Sequence, residues 1–122
     1  MLHVGPDDAK FFFHAVYDSP DDKPSFGETF RLHVDGDYMG DVAEDEFIEM
    51  KIPPGPHLFD VNEISWSGNV ISHSTFKETL KPGEPSFIVE HVLPEDLTFL
   101  SKTTEAQGTK NISIRNRICN CW

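Results

Sequence analysis

The sequence is poor in cysteine. Its two cysteines are Cys119 and Cys121, in the C-terminal CNCW. A disulfide between residues so close in sequence is strained and stabilises no loop, which excludes a secreted disulfide framework. We expect free thiols in a reducing compartment; a metal-ligand pair or a contact with another chain is the alternative.

Long hydrophobic runs are also lacking, and the N-terminal residues do not show the pattern of a leader. The N-terminal stretch MLHVGPDDAKFFFHAVY has no basic segment, no long apolar segment and no small-residue cleavage site. No stretch approaches the roughly 20 apolar residues of a membrane-spanning helix. We therefore expect a cytoplasmic protein without a membrane partner.

Basic side chains are outnumbered by acidic ones, 10 to 21, for a net charge of −11. Residues 102–122 carry four bases and one acid, which gives +3 there and leaves −14 for residues 1–101. Such a surface repels phosphate groups and anionic lipids, so we expect no nucleic-acid partner. The charge serves either solubility or attraction of a basic protein.

The composition predicts one all-β domain over residues 1–122, with flexible ends at 1–9 and 119–122. Ten Phe make the chain too apolar for disorder, whereas nine Pro and eight Gly are too many for a helix bundle. Short apolar or alternating segments separated by turn residues predict about eight strands, packed as a single antiparallel β-sandwich. The predicted strands are 10–17, 28–34, 38–42, 46–52, 57–66, 70–80, 86–93 and 110–118, and residues 97–103 fit either a strand or the continuation of a helical turn.

Seven carboxylates lie within fifteen positions, and no Lys or Arg occurs between Leu32 and Met50. We consider three interpretations: a calcium loop, the solvated side of a hairpin, or an acidic docking face for a basic protein. The seven residues are Asp35, Asp37, Asp41, Glu44, Asp45, Glu46 and Glu49.

The calcium interpretation is the weakest of the three. Asp35, Asp37, Gly40 and Glu46 match the first, third, sixth and twelfth positions of an EF-hand loop. Met39 occupies the fifth position, and a thioether is a poor ligand for a hard cation. Strands also replace both flanking helices.

Motifs for catalysis and for cofactors are lacking. The six histidines show no metal-ligand spacing, and no nucleophile elbow, P-loop, G-x-G-x-x-G or CxxC occurs. We therefore expect a protein that is not an enzyme and needs no cofactor. Trp66, in the loop Trp66-Ser67-Gly68-Asn69, either covers one end of the core or serves as a sugar platform or interface anchor.

The stretch FRLHVDGDYMGDVAEDEFIEMKIPPGPHLFDV resembles the PEGA-type repeat. A strand ends in Val34-Asp35-Gly36, a short strand carries Gly40, and Pro54-Gly55-Pro56-His57 leads into an apolar strand. ETLKPGEPSFIVEHV is similar to an element of a related group of small domains of unknown function, frequent in bacterial lipoproteins. The resemblance implies a non-catalytic β-sandwich of immunoglobulin or PEGA-like type. This chain departs from the pattern, because it has no lipobox cysteine and has more acids than the turns require.

Together these observations predict a non-catalytic, acidic protein-binding module of bacterial type. We expect an immunity or inhibitor protein that neutralises a basic partner, such as a cognate toxin, through the seven acids and Trp66. The alternative is a carbohydrate-binding or envelope-associated accessory domain that uses Trp66.

Overall fold

Nine β-strands and one α-helix form in the computed structural model, which describes residues 8–17 and 28–119. A single 3-10 turn, Pro94–Asp96, joins the seventh and eighth strands. The elements are β1 (Ala9–Tyr17), β2 (Thr29–Val34), β3 (Asp37–Val42), β4 (Glu46–Ile52), β5 (Gly55–Ile64), β6 (Val70–Leu80), β7 (Ser86–Leu93), β8 (Leu97–Thr103), α1 (Glu105–Ile112) and β9 (Asn116–Cys119). In this part of the chain no helix has the length and apolar character needed to cross a membrane.

The strands form two sheets, which confirms the predicted all-β sandwich. The five-stranded sheet has the order β8-β7-β1-β4-β9, and the four-stranded sheet has the order β3-β2-β5-β6. The smaller sheet is antiparallel, but β1 pairs with β7 in parallel and β4 pairs with β9 in parallel. In the larger sheet the expected antiparallel pairing is therefore right for β1–β4 and β7–β8 but wrong for β1–β7 and β4–β9, because side-chain alternation carries no information on the direction of a neighbouring strand.

Alternate residues of both sheets fill the core between them. Phe11 and Phe13 of β1 and Phe30 and Phe59 of the smaller sheet are fully buried. The rings of Phe11 and Phe59 meet edge to face across the sandwich, 5.2 Å between centroids. Each such side chain contributes about 2 to 3 kcal/mol of burial free energy, so this aromatic contact joins the two sheets. Ala9, assigned from the sequence to a flexible end, is also fully buried and begins β1.

The strand predicted over 110–118 is wrong over most of its length, because α1 occupies its first part. Thr104 caps the helix by accepting the Gln107 N–H at 3.1 Å, and Glu105 and Lys110 lie at the ends where their charges suit the helix dipole. Only Asn116–Cys119 forms a strand there.

Helix α1 packs on the outer face of the larger sheet. Gly108 lies against the Phe87 ring of β7, and Phe87 stacks on Phe12 of β1 at 4.7 Å. Asn111 contacts the buried His14 at 3.1 Å, Nδ2 to Nε2. Because β1 is covered on both faces, its sequence KFFFHAVY is nearly continuously apolar instead of alternating.

Candidate partner-binding site

Strand register sorts the connections into two ends of the sandwich. At one end, which we call the loop end, lie residues 43–45, 65–69, 94–96 and 113–115. The register pairs Thr29↔Ile64, Phe30↔Val42 and Tyr17↔Val92 show that these connections follow strand ends on the same side of the sandwich. At this end Tyr17 Oη donates a hydrogen bond to Glu28 Oε2 at 3.2 Å. The opposite end, the turn end, carries residues 35–36, 53–54 and 81–85. Loops gathered at one end of a rigid sandwich are a common place for binding residues.

The structure separates the seven acids that the sequence grouped. Asp35 and Asp37 lie at the turn end, whereas Glu44 and Asp45 lie at the loop end. Strand β2, six residues long, connects the two ends and spans roughly 17 Å. The single acidic face expected over residues 35–49 is therefore corrected to two separate groups, with further acids on each sheet.

Two of the seven carboxylates are neutralised by cations of the chain itself. Asp41 accepts two bonds from Arg31, from Nε at 3.0 Å and from Nη2 at 3.2 Å. Glu49 lies between Lys10 Nζ at 3.3 Å and Arg117 Nη1 at 3.5 Å. These carboxylates contribute less to long-range attraction of a basic partner than the sequence suggested.

Asp35 and Glu46 hold turns in place. Asp35 Oδ1 accepts the Leu58 N–H at 2.8 Å, and Oδ2 lies 2.5 Å from His57 Nδ1. Partial burial works to raise the pKa of Asp35, but the hydrogen bonds from Leu58 and His57 outweigh it and lower the pKa below its ordinary value. Glu46 Oε1 accepts the Ala43 N–H at 2.8 Å and so closes the β3–β4 connection.

The side chains of Asp37, Glu44 and Asp45 form no ion pair within the described ranges 8–17 and 28–119. The main chain that carries the last two is fixed, since the Glu44 carbonyl accepts from Arg115 Nε at 3.0 Å and the Asp45 carbonyl accepts the Asn116 N–H at 2.8 Å. In this anchored connection at the loop end Asp45 is exposed and Glu44 is half-buried, and both carboxylates interact electrostatically with the Arg115 guanidinium.

Trp66 lies at the same end and is 73% exposed at the tip of the β5–β6 hairpin. The interpretation that Trp66 covers the core is wrong, because Ile64 closes β5 on the inside and Trp66 follows it into solvent. The Ser65 N–H donates to the Asn69 carbonyl at 2.8 Å and the Gly68 N–H to the Ser65 carbonyl at 2.9 Å. The indole is therefore presented by a hydrogen-bonded turn.

Further exposed apolar side chains accompany Trp66 at the loop end. Val70 begins β6, Leu97 begins β8, and Ile114 lies in the α1–β9 connection; all three are more than half exposed. Single exposed apolar residues are ordinary, but several at one end of a sandwich are typical of an interaction surface. The sequence analysis identified Trp66 and missed the other three, because they come from separate connections.

The calcium loop does not form. Its first residue, Asp35, lies at the turn end, and its twelfth, Glu46, lies at the loop end. Among the residues that the structure describes, no three His, Cys, Asp or Glu side chains converge on a possible metal position. Cys121 and the Cys119 side chain fall outside that description.

Comparison with known proteins returns nothing: no family model matches the chain, and neither a curated protein nor a solved structure does. The PEGA-type resemblance therefore stays a prediction.

Proposed function

We propose that the chain is a non-catalytic protein-binding module whose loop end engages a basic protein, in the manner of an immunity or inhibitor protein that neutralises a toxin. The observation that carries this proposal is the exposed Trp66 on a hydrogen-bonded turn at the end that also presents Glu44 and Asp45. An aromatic anchor with acidic residues near it suits a cationic partner surface that has an apolar pocket.

Trp66 and the acids have different roles in this proposal. Trp66 buries apolar area in the partner and contributes most of the affinity, because tryptophan is a frequent centre of binding energy. Glu44 and Asp45 speed association and select positive surfaces, and the −14 charge of residues 1–101 adds long-range attraction. The pairs Phe30↔Val42 and Thr29↔Ile64 place the two groups at the same end of neighbouring strands, and a standard-sized interface has a radius of roughly 16 Å.

The test is co-purification of partners from the source lysate, followed by affinity measurements at low and high salt on the purified pair. Asp45→Lys should weaken binding at least about tenfold, mostly through slower association. Asp37→Lys is the matched control, because Asp37 is also an acid without an ion pair in the described residues but lies at the turn end. Equal effects of the two substitutions would show that only total charge matters and would remove the loop end as the site.

A second candidate function is carbohydrate binding by an accessory domain, and the exposed Trp66 ring also supports it, since an indole face stacks on sugars. Glycan-array binding by the native chain that disappears in Trp66→Ala would favour this candidate. Silence of the native chain on the array, with protein binding that requires Trp66, would exclude it.

A further inference from the structure

The described part of the sandwich has four edge strands, whose outward N–H and C=O groups can pair with a strand of another chain. These edges are β8 and β9 in the larger sheet and β3 and β6 in the smaller one. Natural proteins protect such edges with bulges, charged side chains or very short strands. The four edges of this chain differ in how far they are protected.

Three of the edge strands carry such protection. Strand β3 is bulged near Gly40 and carries the charge of Asp37. Strand β6 carries Lys77 and Glu78. Strand β9 has four residues, one of them Arg117, and its pairing with β4 shifts in register. A strand from another protein would meet a charge or an irregular ladder at each of these edges.

Strand β8 lacks this protection over residues 97–101. It pairs with β7 without a break in register along the whole of Leu97–Thr103. Its sequence LTFLSKT contains no proline and one charged residue, Lys102, which lies near the turn end and pairs with Glu78 at 3.9 Å. The rest of the strand therefore presents a regular, uncharged edge, which is a template for an added strand.

The outer face of β8 is apolar and partly in solvent. Leu97 is 60% exposed and Phe99 is 43% exposed. The Phe99 ring stacks on the ring of His91 in β7, with 4.5 Å between centroids, so the sheet itself fixes its position. A strand added beside β8 would cover Leu97 and Phe99 with its own alternate side chains, and β-branched or other apolar residues pair best with them.

The edge of β8 continues into the loop end. Strands β6 and β8 lie next to each other across the side of the sandwich, as the contact of Lys102 with Glu78 shows, and both strands begin at the loop end. A chain that follows β8 past Leu97 therefore arrives on the same side of the loop end as the hairpin that carries Trp66. The exposed Glu95, in the turn before β8, adds a negative charge beside that path.

We propose that β8 accepts an extended segment of the basic partner, which adds to the larger sheet as a further strand, with apolar residues beside Leu97 and Phe99 and a cation near Glu95. This inference rests on the proposed function for the identity of the partner. It assigns the affinity along β8 to main-chain hydrogen bonds and the selectivity to alternate side chains, as in other cases of strand addition.

A second copy of the chain fits this edge less well than a cationic segment does. Each copy carries a net charge of −11, so two copies repel each other. In an antiparallel two-fold pair of β8 strands, the two loop ends would lie at opposite ends of the pair, and little beyond the strands themselves would be buried. Stable interfaces bury roughly 1,200 Å² or more. A segment that also reaches the loop end has more surface to cover.

A synthetic peptide tests the edge without knowledge of the partner. The probe alternates valine with threonine and has arginine at both ends; its control is the same peptide with every backbone nitrogen methylated, which cannot donate main-chain hydrogen bonds. Added to the isotope-labelled full chain, the probe should bind saturably, shift the amide NMR signals of residues 97–103 and slow their hydrogen exchange. The methylated peptide should bind at least about tenfold more weakly.

Substitutions in the chain locate the binding of the probe. Phe99→Lys should weaken it at least about tenfold, because the new charge repels the arginines and the aromatic contact is lost. Leu97→Lys, at a more exposed position, should act in the same direction and keeps the test valid if Phe99→Lys does not fold. Tyr38→Lys is the matched control, since Tyr38 is an aromatic residue on edge strand β3 and is 59% exposed; it should bind the probe as the native chain does.

Three results with the probe would overturn the proposal: no saturable binding, equal binding of the methylated peptide, or shifted signals on β3, β6 or β9 instead of β8. A native dimer in light scattering that Phe99→Lys dissociates would also overturn it, because β8 would then pair with a second copy.

The co-purified partner separates this inference from the proposed function. If Asp45→Lys weakens partner binding and Phe99→Lys does not, the strand addition is wrong and the loop end stays. If the probe binds at β8 and Phe99→Lys weakens partner binding while Asp45→Lys does not, the loop-end acids are wrong and the strand addition stays.

Discussion

The backbone of Gly108 touches the ring of Phe87: a β-carbon at residue 108 would lie 2.2 Å from Phe87 Cγ. This contact lets α1 approach the larger sheet closely enough to cover Phe12 and Phe87. Glycine at this position therefore serves helix packing, at the cost of a weaker helix propensity.

Gly108→Ala should lower the free energy of unfolding by about 1 to 3 kcal/mol, because the added methyl forces α1 away from the sheet. Alanine would by itself favour the helix by about 1 kcal/mol, so a loss shows that the packing clash dominates. Thr109→Ala, at the exposed neighbouring position, is the control and should be neutral or slightly stabilising. Urea unfolding of both variants measures the difference, and a stabilised Gly108→Ala would contradict the contact.

Replacement of Arg115, even by lysine, should destabilise the chain. Its guanidinium donates to the carbonyls of Ala15 at 2.9 Å, Asn111 at 2.6 Å and Glu44 at 3.0 Å, and so joins α1, β1 and the β3–β4 connection. Lysine cannot reproduce this planar set of donors. We expect Arg115→Lys to lower the free energy of unfolding by about 2 kcal/mol, measured by thermal unfolding, because partly buried carbonyls lose their partners.

Arg117→Lys provides the comparison for Arg115. Arg117 is half exposed and makes one ion pair, to Glu49 at 3.5 Å, which lysine can largely keep. Arg117→Lys should therefore lower the free energy of unfolding by less than about 1 kcal/mol. Equal effects of the two substitutions would mean that the three carbonyl contacts contribute little.

Asp35→Asn should reduce the dependence of stability on acidic pH. The hydrogen bonds from Leu58 and His57 lower the pKa of Asp35, so its stabilising contribution is present above pH 3.8 and is lost as the pH falls through the folded-state pKa. The backbone of Asp35 has a φ of 53°, which asparagine adopts readily, so the substitution tests the charge and not the turn.

We expect a loss of at most about 1 kcal/mol for Asp35→Asn at pH 7, because the carboxylate is 40% exposed. Acid titration of stability measures the result, with Asp37→Asn as the control from the same turn. If the free energy of unfolding of Asp35→Asn changed with acidic pH as that of the native chain does, the contact between Asp35 and His57 would contribute no stability.

Trp66→Ser should leave the stability of the chain unchanged within about 0.5 kcal/mol, because the indole is mostly in solvent. Phe30→Ala, at a fully buried aromatic, should cost about 3 to 5 kcal/mol. Thermal unfolding distinguishes the two. A large loss of stability in Trp66→Ser would show that the indole packs in the core, which would weaken the proposed binding site.

The strands were predictable because their signals are local. The segments 46–52, 70–80 and 86–93 were predicted with the bounds that the structure has, since each is an apolar or alternating run that ends at turn residues. Helix α1 was missed because Ile112 and Ile114 imitate strand alternation. The Thr104 and Gln107 capping signal was present in the sequence but lay before the apolar positions.

The acidic site was harder to predict, because the partners of its carboxylates come from other strands. A regular two-residue hairpin at Asp35-Gly36 would place Arg31 opposite Gly40. The strand instead bulges near Gly40, whose φ is 142°, and Arg31 pairs with Asp41. One shifted residue thus converts a free carboxylate into an ion pair. The burial of Glu90 in β7 could have been predicted, since alternation places this residue on the same face as the buried Ile88 and Val92.

The central position of β1 has a consequence for synthesis of the chain on the ribosome. Its two neighbours are β4 and β7, so β1 stays without one partner until residue 92 has been translated. During that interval a nearly continuous apolar strand has an open edge, which is a template for wrong pairing with other chains. Truncations that remove β7 should therefore yield insoluble fragments instead of smaller folded domains.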